Sequence, residues 1–174
     1  HLYHRQGDYK RILKELEPSR FSKGTLSEQE IGHLNLWIAE ANLALQKYEK
    51  ALLSYQAASK VSALRQEASV GMAKTYMAQG QYSKAKEHLD KAITQHATGP
   101  SSKRSESSKR SLQGQIALYY HDLTTADFAF KKALELNSRN VDASFGLAYL
   151  AFLKQDMKML KERVEVLVKL DPAH

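Results

Sequence analysis

Along the chain, apolar and small residues recur in one pattern. An aromatic residue or leucine is followed three positions later by a small residue, four later by a bulky apolar one, and three after that by another small one. The pattern appears as Tyr48, Ala51, Tyr55 and Ala58, and again 34 residues on as Tyr82, Ala85, Leu89 and Ala92. A third copy, Leu123, Ala126, Phe130 and Ala133, follows after 41 residues, and a fourth, Met157, Leu160, Val164 and Leu167, after 34 more. Spacings of three, four and three put each set on one stripe of an α-helix.

Each of these helices follows another with its own stripe: Trp37, Ile38, Ala41 and Leu45, then Met72, Ala73 and Tyr76, then Leu112, Gly114 and Ala117, then Leu147, Ala148 and Ala151. A small residue recurs at one place, Ala39, Ala73, Gly114 and Ala148, where two helices can approach closely. Polar or glycine turns join the members of a pair: Gln46-Lys47, Gln79-Gly80-Gln81, His121-Asp122 and Gln155-Asp156. The pattern predicts helices near 8–17, 28–46, 48–61, 64–79, 82–95, 109–121, 123–137, 141–154 and 157–170. Ser27-Glu28-Gln29-Glu30 reads as a capping box that starts the second of them. Pro18, Pro100 and Pro172 all fall between predicted helices, where a missing N–H does no harm.

A 34-residue helix-turn-helix with this pattern resembles the tetratricopeptide repeat family. The clearest copy is the run from Met72 to Ala85, Met-Ala-Lys-Thr-Tyr-Met-Ala-Gln-Gly-Gln-Tyr-Ser-Lys-Ala. The resemblance implies an all-α fold, a right-handed superhelical solenoid of antiparallel helix pairs. It divides the chain into a partial repeat and linker at 1–26 and four repeats at about 27–63, 64–97, 107–140 and 141–174, with a Ser/Lys/Arg-rich loop at 98–107. The partial repeat is carried by Gly7-Asp8-Tyr9-Lys10-Arg11-Ile12, which echoes Gly80 to Ala85, and Phe21 and Leu26 of the linker are expected to tuck against neighbouring helices. The fourth copy carries Leu160 and Leu167 where the family has alanine, so looser packing is expected there. Neither end shows polar capping of the kind a solenoid needs, which leads us to expect a fragment of a longer protein, or ends covered by self-association or another chain.

Composition supports helices: 174 residues hold 8 Gly and only 3 Pro. There is no Cys, which removes disulfides, thiol nucleophiles and thiolate metal sites. No stretch approaches the roughly 20 apolar residues of a membrane span. The net charge of +7 favours acidic partners in general. Its sharpest local form is 98–111, which contains Ser-Ser-Lys-Arg-Ser twice. With that composition its first part is expected to be a mobile, solvated loop. Nucleic-acid or anionic-surface binding through Lys103, Arg104, Lys109 and Arg110 with Lys154, Lys158 and Lys161 is the alternative function. It is disfavoured because no aromatic residues interleave the basic run as a stacking platform.

Catalytic and cofactor signatures are missing: no HExxH, no GxSxG and no Gly-rich phosphate loop. No enzyme activity, cofactor or metal is therefore expected. His1 and His4 could share a helix face but have no third ligand nearby, and His88 and His96 fall on or just past the exposed side of a second helix. The resemblance implies instead a protein or peptide partner on a concave face lined by the first helices, which makes the chain an interaction scaffold or adaptor. The family's analogues suggest assembly of a secretion, pilus or cell-envelope complex. In the repeat register the face-lining candidates are His33, Leu36 and Glu40, then Lys74 and Met77, then Gln115 and Tyr119, then Phe145, Tyr149 and Phe152. Leu43, Glu67, Val70, Ser108, Ser111, Leu118 and Asp142 share the register. The family's carboxylate clamp of Lys, Asn and Arg is absent, since those positions hold Leu36, Glu40, Gly71, Ser108 and Leu112. Phe145, Tyr149 and Phe152 are either core or a binding face.

Overall fold

The computed structural model describes residues 6–16, 26–94 and 102–170. Pro18, Pro100, Pro172, Phe21, His1, His4 and His96 lie outside them. The described elements are α1 (Gln6–Glu15), α2 (Glu28–Ala44), α3 (Tyr48–Ala58), α4 (Arg65–Ala78), α5 (Tyr82–Thr94), α6 (Lys103–Tyr119), α7 (Leu123–Leu136), α8 (Val141–Leu153) and α9 (Met157–Leu170). A 3₁₀ turn, Ser62–Leu64, precedes α4. No strand occurs among the described residues.

The chain forms two compact units, His1–Gly99 and Pro100–His174. In the first, α2 pairs with α3 and α4 with α5, while α1 packs on α2, α3 on α4, and α2 on α4. In the second, α6 pairs with α7 and α8 with α9, with α7 on α8 and α6 on α8. The second-helix stripes form the cores. Ala51, Tyr55 and Ala58 are buried in one unit, and Ala126, Phe130 and Ala133 in the other. The recurring small residues Ala39, Ala73, Gly114 and Ala148 are all buried at the close approaches.

All four turns end their first helix in the same way. Gln46, Gly80, His121 and Gln155 take positive φ, at 57°, 72°, 57° and 57°. The following N–H then reaches back to a carbonyl five residues earlier: Lys47 to Asn42 at 2.8 Å, Gln81 to Tyr76 at 2.8 Å, Asp122 to Ala117 at 2.9 Å, and Asp156 to Ala151 at 2.9 Å. This is the six-to-one bond of a left-handed helix stop, which satisfies carbonyls the helix leaves free. The start of α2 is equally local: the Ser27 hydroxyl accepts from the Glu30 N–H at 3.3 Å, and the Glu30 carboxylate accepts from the Ser27 N–H at 2.8 Å.

Two sequence expectations are corrected. Helix α6 begins at Lys103, so residues 103–107 of the expected loop are helical. Ser102 caps it, its hydroxyl accepting from the Ser105 N–H at 3.1 Å. Ser107 is buried and donates to the Ala133 carbonyl at 2.7 Å, while the Asn140 amide donates to the Ser107 hydroxyl at 2.8 Å. Serine is small enough to let helices approach, and its hydroxyl finds partners in the gap. The second correction is Trp37, expected in an inward stripe but 57% exposed. In the fourth copy, where looser packing or a splayed pair is expected, Val164, equivalent to Phe130, is exposed on α9 with Met157 and Val168.

Ala85, in the clearest repeat, is fully buried. An added isobutyl group there overpacks at a cost of roughly 1–3 kcal/mol. The neighbouring Lys86 is exposed, and surface changes of that kind usually stay within about 0.5 kcal/mol. Ala85→Leu is therefore expected to melt several degrees below Lys86→Ala. Equal melting temperatures would show that the packing register of α5 is wrong.

Candidate functional site

On α2 the exposed stripe runs His33, Trp37, Glu40, at spacings of four and three. Leu36, one of the expected face residues, lies off this stripe and is buried with Ala39, Tyr55 and Met72. It is a core residue, as are Val70 and Ser111 at the related positions of α4 and α6. On α4, Glu67 and Lys74 are exposed and Met77 is half-buried. Between them sits Gly71, covered by the ring of Tyr55: a Cβ on Gly71 would run into three carbons of that ring.

Charge concentrates on this face of the first unit. The Glu40 carboxyl is held above the usual carboxylate range, first by the protein packed around it and then by the negative charge of Glu67, with Lys74 pulling the other way. The Tyr55 phenol is pushed well above its ordinary value by burial, then by Glu40 and Glu67. Neither carboxylate joins an ion pair among the described residues. The carboxylates of Glu15, Glu87, Glu106, Asp127 and Glu135, by contrast, all do.

The second unit presents an aromatic face. Phe145, Tyr149 and Phe152 are 64%, 46% and 60% exposed along one stripe of α8. The opposite side of α8 carries Ala143, Gly146, Leu147, Leu150 and Ala151, all buried. The three rings are thus additional to a complete core, which decides against reading them as core residues. On α6, Tyr119 is exposed, Gln115 half-buried, and Tyr119 meets Tyr120 edge-on with centroids 5.2 Å apart. Exposed aromatic rings on rigid helices offer large contact area at small conformational cost.

The second half of the basic run is paired within the chain, while Lys103 and Arg104 are exposed. Lys109 is buried, 2.5 Å from the Glu106 carboxylate, and Arg110 reaches the same carboxylate at 3.3 Å. Lys154 lies 4.0 Å from Asp127. His88, expected on an exposed side, is half-buried and stacked on Tyr76 with centroids 5.2 Å apart, and burial lowers its pKa. His33 is exposed. Among the described residues no group of three or more His, Asp or Glu is placed to hold a metal ion, and no helix is long and apolar enough to cross a membrane.

The comparisons agree with this architecture. Residues 34–102 match a family model described as tetratricopeptide repeat. Among solved structures, the crystal structure of YrrB, "a TPR protein with an unusual peptide-binding site", is 16% identical, with a TM-score of 0.57 over 98% of this chain and 78% of that one. At that identity the likeness is one of fold. No curated protein matches the chain.

Proposed function

We propose that this chain is a tetratricopeptide-repeat protein, a non-catalytic adaptor whose first-helix faces hold a peptide or partner helix. It is a protein-interaction scaffold in kind. The observation that carries the finer reading is the surplus aromatic stripe Phe145, Tyr149 and Phe152 on α8, exposed while the core beneath is complete. Such a stripe suits the apolar side chains of an extended peptide or an amphipathic helix. Within the second unit Gln115 and Tyr119 add to this stripe, and within the first unit His33, Glu40, Lys74 and Met77 are the proposed contacts. The YrrB likeness supports this reading because that relative is a peptide binder by its own description. Assembly of a larger secretion, pilus or envelope complex is the process we assign to it by family analogy.

The test is a Tyr149→Ala, Phe152→Ala double variant. The immobilised chain recovers the partner, and binding of that partner is then measured for wild type and variant, with circular dichroism confirming the fold. The variant is expected to bind at least tenfold more weakly, a loss of about 1.4 kcal/mol or more. Normal binding by a folded variant would remove the aromatic stripe from the interface.

A further inference from the structure

The face of the first unit carries a chemistry that the aromatic stripe does not explain. Trp37 and Glu40 are three residues apart on α2 and so are neighbours on one helix face. Glu67 stands on α4, which packs on α2. The ring of Tyr55, from α3, crosses Gly71 on α4 one turn from Glu67, and the residue is only 3% exposed. Its phenol makes no hydrogen bond among the described residues, and it lies within the field of both carboxylates. Neither carboxylate joins an ion pair among the described residues, so the two make a negative spot on a chain of net charge +7. Lys74 supplies one positive charge against two negative ones.

Resting on the peptide-binding reading above, we infer that Trp37, Glu40, Glu67 and the Tyr55 phenol form a subsite for one cationic side chain, lysine or arginine, of the bound peptide. The carboxylates accept charge-assisted hydrogen bonds from an ammonium or guanidinium group. The phenol oxygen accepts another, and the exposed indole offers a cation–π face, the strongest of the aromatic side chains. The net positive charge of the chain repels a cationic peptide in general, so attraction at this spot is local rather than a product of the overall field.

Trp37 is the single tryptophan of the chain, so its fluorescence reports on this subsite alone. The probe is the blocked peptide acetyl-Gly-Arg-Gly-Arg-Gly-amide, with a Glu-for-Arg counterpart as control. The wild-type chain is expected to give a saturable change in Trp37 emission with the arginine peptide and none with the glutamate one. In Glu40→Gln, Glu67→Gln the midpoint should rise at least tenfold, and in the single variant Glu67→Gln it should rise by a smaller factor, which keeps the test open should the double variant fold poorly. Lys86→Ala, an exposed change on α5 outside every contact set, should leave the Trp37 response unchanged. An unaltered midpoint in folded Glu40→Gln, Glu67→Gln, an equal response to the glutamate peptide, or no saturable response in wild type overturns the inference. If Trp37 responds as expected while the aromatic variant binds its partner normally, the subsite stands and the aromatic anchor falls. The reverse pattern removes the subsite alone.

Discussion

Phe130→Ala is expected to lower the stability of the second unit by about 3–5 kcal/mol, the usual cost of removing a fully buried phenylalanine. The ring is completely buried among Ala117, Ala126, Ala133, Ala143, Leu147 and Leu150. It is also wedged between two glycines on different helices. A Cβ on Gly114 would come within 2.7 Å of Phe130 Cε1, and one on Gly146 would meet the tip of the same ring. Those glycines give the ring its room and have no side chains to move into the void. The surrounding alanines are equally short, so the cavity cannot collapse and the loss falls toward the upper part of the range. The equivalent residue 34 positions later, Val164, is exposed on α9, and its replacement by alanine is expected to stay within about 0.5 kcal/mol. Urea unfolding followed by circular dichroism checks both. A midpoint for Phe130→Ala close to that of Val164→Ala would show that the ring is not the wedge of its unit.

The same comparison explains what was legible in the sequence. The first and third second-helix stripes are legible because Tyr55 and Phe130 each pack against two first helices at once, which fixes their size and spacing. Tyr55 over Gly71, and Phe130 over Gly114 and Gly146, are the outcome. The turns were legible as polar breaks, though a glycine marks only Gly80. Gln46, His121 and Gln155 adopt the same left-handed backbone, and the six-to-one hydrogen bonds offset the steric cost that a Cβ brings there. Two features escaped. The exposed stripe of α2 includes Trp37 and excludes Leu36, because spacings of three and four fit both residues and only packing against Tyr55 and Met72 decides that Leu36 turns inward, while an apolar tryptophan reads as core. The start of α6 is not legible in composition, because serine, lysine and arginine are mostly exposed residue types. The spacing of Ser107, Ser111 and Gly114, four and three, was the available signal: small residues at helical spacing mark a close helix contact, as Ala39 and Ala73 do elsewhere. The candidate site was legible where charge or aromatic character exceeded what the core needs, at Glu40, Phe145, Tyr149 and Phe152.

The misread start of α6 also yields the second large effect, and its two arms have opposite expectations. The Lys109 side chain is 3% exposed, and its ammonium is held by Glu106, itself 28% exposed. Glu106→Gln is expected to cost about 3 kcal/mol, the lower end of what breaking a buried ion pair costs. The amide keeps the shape of the carboxylate and loses its charge, so Lys109 is left cationic in a place closed to water. The lower end applies because Glu106 lies at the rim and the lysine stem can turn its head toward solvent. Arg110, 3.3 Å from the same carboxylate, adds a second cation to the imbalance. Lys109→Met removes the buried charge and keeps the chain length and most of the volume, and replacing a buried charge by a well-packed apolar group is often neutral or stabilising. Glu106 then still has Arg110. The expected order of urea midpoints is therefore Lys109→Met equal to or above wild type, and Glu106→Gln well below it. The double variant Glu106→Gln, Lys109→Met should recover most of the loss, because the group that suffered from the missing carboxylate is gone. Had 103–110 been a solvated loop, all three variants would unfold with wild type, since exposed ion pairs contribute about 0–1 kcal/mol. Coincident midpoints would thus reinstate the loop, whereas recovery in the double variant fixes Lys109 as a buried charge that Glu106 alone makes tolerable.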